Sequence, residues 1–334
     1  MRTYIKGVGG VNTEMFRKEV EMTYEKVKSL AGWTVDKDVV LTITSYYVTS
    51  EREFNAESLN RAMDAIKEKT GWFSPLRGNL LPMIAAFIDR PDVVIEEEVN
   101  QLFDKQRMLR SVGFRNTIHS YLAALLMTDD EDLYDNEARQ AKALFVEMKK
   151  RHYFLTSDDD YAYAVLLGNR GFNPVEHAKA MRLYYDTLRK QGFRGGNELQ
   201  WMSQVLTYIE ASFQEANVLR AHEITNFLKE KAKVRQVHYP MIGFLTVFGI
   251  QNTELKKILD LTQSLEETKI LKWKRDMALS IAIGYVLNEI IENQTTLSVS
   301  LATSTELIIQ AQQAIMAATI AAMASSAATN SSNS

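Results

Sequence analysis

The sequence predicts an all-α protein made of stacked helical repeats. Three observations carry that prediction. The 334 residues contain only five prolines and fifteen glycines. Apolar residues recur at helical spacing over most of the chain. The chain also resembles itself at a period of about eighty residues, the signature of a repeat architecture.

The repeat is clearest at four junctions. Gly32-Trp33, Gly113-Phe114, Gly192-Phe193 and Lys272-Trp273 place aromatic residues 81, 79 and 80 positions apart. Each follows an amphipathic segment with basic residues at its end and precedes an apolar one. A glycine just past a helix adopts positive φ without a Cβ clash, and the apolar residue after it folds back on the last turn. Lys272 lacks that freedom, so the fourth junction needs a different stop.

Other landmarks fall into the same frame. Residues 39–48 (VVLTITSYYV) are rich in β-branched side chains, yet their place after the first junction predicts a helix. Short apolar helices are predicted at 80–87, 161–167 and 239–245, and charged helices at 55–70, 135–151 and 213–234. Asn173-Pro174-Val175-Glu176 puts a capping side chain, a first-turn proline and a reciprocal glutamate in preferred places. Thr156-Ser157 offers a hydroxyl cap ahead of the first-turn carboxylates Asp158, Asp159 and Asp160. The result is about three and a half four-helix units, about 1–73, 74–154, 155–235 and 236–292, in one domain. Neighbouring units bury a shared core, which predicts a solenoid or an arched bundle. Residues 293–334 form an Ala/Ser/Thr-rich tail, expected to be helical over about 304–324 and disordered beyond. Such a helix suits capping of the stack or self-association.

Composition excludes several classes of function. A net charge of -3 gives no basic excess, so no nucleic-acid partner is expected. The absence of cysteine removes disulfides, thiolate metal sites and cysteine nucleophiles. No apolar leader and no run of eighteen apolar residues occur, so a cytoplasmic protein without a membrane span is expected. No phosphate-binding glycine loop, nucleophile elbow or histidine pair at metal-binding spacing appears, and no cofactor is expected.

Two groups of residues remain as candidates for chemistry. Asp158, Asp159 and Asp160, with His119 or His152 if the fold gathers them, resemble an acidic site that would hold a divalent cation or divide acid and base roles. The same carboxylates also suit the N-terminus of the helix that starts there. Basic residues flank the junctions at Arg110, Arg115, Arg189, Arg194, Lys274 and Arg275. Stacked in register, they would form a ridge for an anionic partner; helix C-termini favour cations in any case. Trp72, Phe73, Tyr153, Phe154, Trp201 and Tyr208 are expected in the core.

The stretch from His152 to Leu167 (HYFLTSDDDYAYAVLL) and that from Gly192 to Ser203 (GFRGGNELQWMS) resemble the signature of a bacterial family of unknown function, domain family 4003, found in Bacillota. Trp72-Phe-Ser-Pro-Leu76 and the Ala-rich end are similar to it too. The resemblance implies a bacterial cytoplasmic protein and supplies no mechanism. On these grounds the sequence points to a non-catalytic scaffold that binds a peptide, protein or extended ligand. An enzyme with an acidic, metal-dependent site near 156–161 is the alternative.

Overall fold

Helix α2 (Lys37–Thr49) shows how the chain sorts its helices. Residues 38–49 are buried without exception, the environment that a helix apolar on all sides demands. Burial overrides the strand preference of its valines and threonines. The Thr42 and Thr44 hydroxyls donate to carbonyls one turn back, 2.8 Å each, so neither hydroxyl is stranded.

The computed structural model describes residues 6–7, 10–11, 13–31, 35–50, 52–78, 80–90 and 93–293. Within it, a small antiparallel pair, β1 (Lys6–Gly7) and β2 (Gly10–Val11), precedes helix α1 (Thr13–Ala31). From there two kinds of helix alternate. Amphipathic helices α3 (Ala56–Lys69), α5 (Ile95–Ser111), α7 (Tyr134–Arg151), α9 (Pro174–Lys190), α11 (Glu215–Lys229) and α13 (Asn252–Glu266) form an outer layer. Apolar helices α4 (Leu81–Ile88), α6 (Ile118–Ala124), α8 (Tyr161–Gly168), α10 (Asn197–Val205), α12 (Tyr239–Val247) and α14 (Arg275–Asn293) join α2 in an inner layer. Each outer helix packs on the inner helix that follows it, and outer helices pack on their successors. The closest approach is between α7 and α8, where a Cβ on Gly168 would lie 2.8 Å from the Ala141 Cα.

The layers do not end as an open solenoid or arch. Helix α14 packs on α2, and α1 packs on α13, so the stack closes on itself. Lys274 meets Asp38 at 2.7 Å, Arg17 meets Glu267 at 2.7 Å, and the Phe16 and Tyr285 rings are 4.5 Å apart. The cause is in the sequence: α2 and α14 are apolar on every side, and each covers the face the other would leave exposed.

Two of the four expected junctions are equivalent in detail. Gly113 and Gly192 have φ of 96° and 91°, and the amides of Phe114 and Phe193 each donate to a carbonyl five residues back at 3.1 Å. Phe114 and Phe193 stack edge-on against Tyr161 and Tyr239, whose hydroxyls accept from the Arg115 and Arg194 amides at 3.3 Å. The fourth junction departs from this pattern. Thr268 caps the turn through its hydroxyl, and Trp273 is 84% exposed where Phe114 is 3%. Gly32, Trp33 and the tail beyond residue 293 lie outside the described residues. The Asn173 side chain caps α9 as expected, accepting from Val175 and Glu176 amides, while the Glu176 side chain turns to Lys179.

The hairpins share one orientation, which gives the ring two different ends. Outer-to-inner turns lie at one end, linked sideways by Arg115–Asp158, Arg235–Asp276 and the Gln236 amide on the Gly195 carbonyl. Outer helices finish here in basic residues, such as Lys67 and Lys69 in α3 and Lys149 and Lys150 in α7. At the opposite end they begin with acids, such as Glu96, Glu97 and Glu98 in α5. Both choices complement the helix dipole. Among the described residues, no helix is long and apolar enough to cross a membrane.

Candidate ligand-binding cleft

The structure gathers most of the acidic candidates but leaves them little freedom. Asp158 pairs with Arg115 at 2.7 Å, and Asp159 pairs with the Nε2 of His119 at 2.9 Å. The hydrogen bond from His119 holds the Asp159 carboxyl below its usual range. Asp160 turns inward and is 1% exposed. It accepts from the Ser157 amide at 2.9 Å, Gln200 Nε2 at 2.9 Å and Gln204 Nε2 at 2.7 Å. Burial pushes its carboxyl up to about 6. His152 lies beyond the two glutamines, beside a cavity of about 10 Å³, room for one water molecule. Among the described residues no three His, Asp or Glu side chains stand close enough to hold a metal ion.

The buried histidines set a pH dependence. Burial brings His152 and His177 down to about 4, helped by the charges of Arg182 and Arg170 respectively. Burial also lowers His238, whose ring is held by the Arg235 amide and the Asp276 carbonyl. A histidine kept neutral by folding contributes stability that is complete above its unfolded pKa of 6.5 and lost as the pH falls toward its folded value. Asp160 and Glu137, whose carboxyls burial raises, oppose this trend, but three histidines act against the two carboxyls. The Tm is expected to fall as the pH drops from about 7 to about 5, with a shallower fall in His177→Gln. Parallel melting curves of the two proteins across that range would refute the assignment.

The expected basic ridge is broken. Arg115, Lys274 and Arg275 spend their charge on Asp158, Asp38 and Glu266. Arg110, Arg189 and Arg194 remain exposed and separate. The aromatic residues also divide: Trp201 and Tyr208 are buried, whereas Trp72, Phe73, Tyr153 and Phe154 are exposed, against expectation. They sit at the tips of outer-to-inner turns, where no neighbouring helix covers them.

A larger space opens at the acidic end, between α4 and α6, where the inner layer is loosest. This cleft of about 520 Å³ is floored by Phe87, Leu102, Leu126 and Leu166 and rimmed by charged side chains. Its volume lies within the range of small-ligand sites. Most of the rim charges cancel in pairs: Arg90 with Glu98, and Lys105 with Asp129 at 2.6 Å. Glu137 accepts from the Thr128 amide at 3.0 Å, and burial raises its carboxyl. Burial and nearby carboxylates likewise push the Tyr134 hydroxyl up to about 12. Arg170 is different. Its guanidinium lies over the Tyr208 ring at 5.2 Å and near Phe172 at 6.0 Å, and among the described residues it has no ion-pair partner. Its Nε, the Gln101 Oε1 and the Asn169 Oδ1 are buried without a hydrogen-bond partner.

In the sequence, Gly168-Asn169-Arg170-Gly171 forms no phosphate-binding loop and carries no motif that singles out Arg170. A usable signal was present in the repeat. Arg90 and Arg170 are 80 residues apart, each two residues past an inner helix. Arg90 finds Glu98 in the first turn of α5, while the corresponding place in α9, 79 residues on as for Gly113 and Gly192, holds buried His177. The second arginine has lost its carboxylate.

A family model described as protein of unknown function, DUF4003, matches residues 23–314. The chain is similar to the uncharacterised protein YeaA of Bacillus subtilis (strain 168), 29% identical over 316 residues that cover 92% of this chain and 94% of that one. No solved structure matches it.

Proposed function

The chain belongs to the DUF4003 family, and we propose that it is a non-catalytic helical-repeat scaffold that binds a peptide segment through a carboxylate in the cleft between α4 and α6. The observation that supports this reading is Arg170, a cation on the cleft wall without an ion-pair partner among the described residues, since buried His177 stands in α9 where Glu98 stands in α5. A planar guanidinium held by aromatic faces is preorganised for two-point recognition of a carboxylate. Gln101 and Asn169 supply carbonyl oxygens on the same wall, suited to accept from peptide N–H groups. The apolar floor takes side chains, and the cancelling rim charges leave Arg170 to set the sign of the ligand.

The test uses pooled tetrapeptides with free or amidated C-termini, followed by thermal shift. A ligand at about one hundred times its Kd adds about 2.7 kcal/mol to stability. Free-acid pools are expected to raise the Tm by a few degrees, and amidated pools to do so less. In Arg170→Gln the free-acid shift should vanish while the unliganded Tm stays unchanged. Equal shifts from both pools, or a shift that survives in Arg170→Gln, would refute the reading.

A further inference from the structure

We propose that the basic end of the ring docks on an anionic membrane surface. The observation is an asymmetry in where the exposed aromatic rings lie. Trp72, Phe73, Tyr153, Phe154 and Trp273 are between 67% and 97% exposed, and they are the aromatic residues among the exposed large hydrophobics of the described chain. All five sit in outer-to-inner turns: two between α3 and α4, two between α7 and α8, and one between α13 and α14. Among the described residues no ring of this kind lies at the acidic end.

Water is a poor solvent for five such rings, and their placement on one end calls for a covering phase. Three features favour a lipid interface as that phase. First, the rings stand at the tips of three turns spread around the ring, so a single groove in a partner would need three matching depressions. A fluid interface conforms to all three. Second, tryptophan and tyrosine are the side chains best suited to the boundary between headgroup and acyl chain. Third, the turns are basic. Lys149 lies 5.8 Å from the Tyr153 ring and Lys272 lies 5.5 Å from the Trp273 ring, so aromatic and cationic groups would meet the surface together. Lys69, Lys231 and Lys233 extend the same sign across this end. An anionic leaflet attracts each nearby cation. The acidic end would face away from the lipid and leave the cleft open to solvent.

The experiment is co-sedimentation of the full chain with vesicles of phosphatidylcholine alone and of an equimolar mixture with phosphatidylglycerol. Binding is expected to the mixed vesicles, weakening as salt rises, with a blue shift of tryptophan emission from Trp72 and Trp273. The variant Phe73→Ser/Phe154→Ser/Trp273→Ser changes only exposed side chains and should cut partitioning by roughly tenfold or more, given about 25 cal/mol for each Å² of apolar surface withdrawn. Lys149→Glu/Lys150→Glu should weaken binding to the mixed vesicles while leaving any residual binding to neutral ones. Equal partitioning of the triple variant and the native chain would overturn the proposal, since it would place the contact elsewhere. So would absence of binding to the mixed vesicles. Aromatic-dependent self-association in sedimentation velocity without lipid, or aromatic-dependent capture of single-stranded DNA, would assign the surface to another occupant and likewise overturn it.

Discussion

Gly168→Val is expected to lower the Tm by roughly 6–10 °C, equivalent to about 3 kcal/mol for a domain of this size. Gly168 ends α8 at its closest approach to α7. A Cβ there would stand 2.8 Å from the Ala141 Cα, 2.9 Å from its nitrogen and 3.0 Å from the Gln140 carbonyl carbon. These are backbone atoms, so no rotamer change relieves the clash and the two helices must separate. Their separation would loosen the aromatic cluster of Phe114, Phe145 and Tyr161. Gly71→Ala is the control: nothing lies within 4 Å of its Cβ position, and its Tm should move little. A Gly168→Val protein that melts with the native chain would show that α7 and α8 do not pack as described.

Asp160→Ala should cost a similar amount, about 3–4 kcal/mol, by a different route. It removes the acceptor of three buried donors, the Ser157 amide and the side-chain amides of Gln200 and Gln204. Asp160→Asn should recover part of that loss. Its oxygen still accepts, and the unpartnered Oε1 atoms of Gln200 and Gln204 can turn to receive its amide. The pH dependence separates a charge effect from a packing effect. Burial raises the folded-state pKa of Asp160 to about 6, so its contribution to stability is full below the unfolded value of 3.8 and lost as the pH rises through about 6. In Asp160→Asn that term is gone, and the loss of stability on acidification should be steeper than in the native chain. Chemical denaturation between about pH 4 and about pH 7 measures it. Identical slopes would rule out a titrating Asp160.

The helices were legible because their causes are local. Burial periodicity marked α3, α7 and α11, and the positive-φ glycines Gly113 and Gly192 marked two turns whose hydrogen bonds agree. Trp273 misled because its spacing matched while its turn chemistry, set by Thr268, did not. The β-rich stretch 39–48 needed the repeat to be read as helix, since burial and not propensity decides it.

Sites were far less legible. The Asp158–Asp160 run reads in the sequence as an acidic site or as a helix start; Asp160 turns inward and accepts from the Ser157 amide, while Asp158 and Asp159 pair with Arg115 and His119. Arg170 belongs to no recognised motif and stands on the wall of a cleft of about 520 Å³ rimmed by charge. Its isolation becomes visible only when Arg90–Glu98 is laid over it at the repeat period. The polarity of the ring was hidden for a simpler reason: a net charge of -3 averages two ends of opposite sign. Charge counted along a chain says nothing about charge sorted in space.

Closure of the helical stack bears on the order in which the protein assembles. Most hairpins join neighbours in sequence and form through short loops, a low-entropy search. The seam is the exception, because Arg17 and Glu267 are 250 residues apart. Its contacts cannot gain anything until the intervening hairpins have curled far enough to bring both ends within reach. The seam is therefore expected to be the last joint to form, a slow closing step after the hairpins have folded.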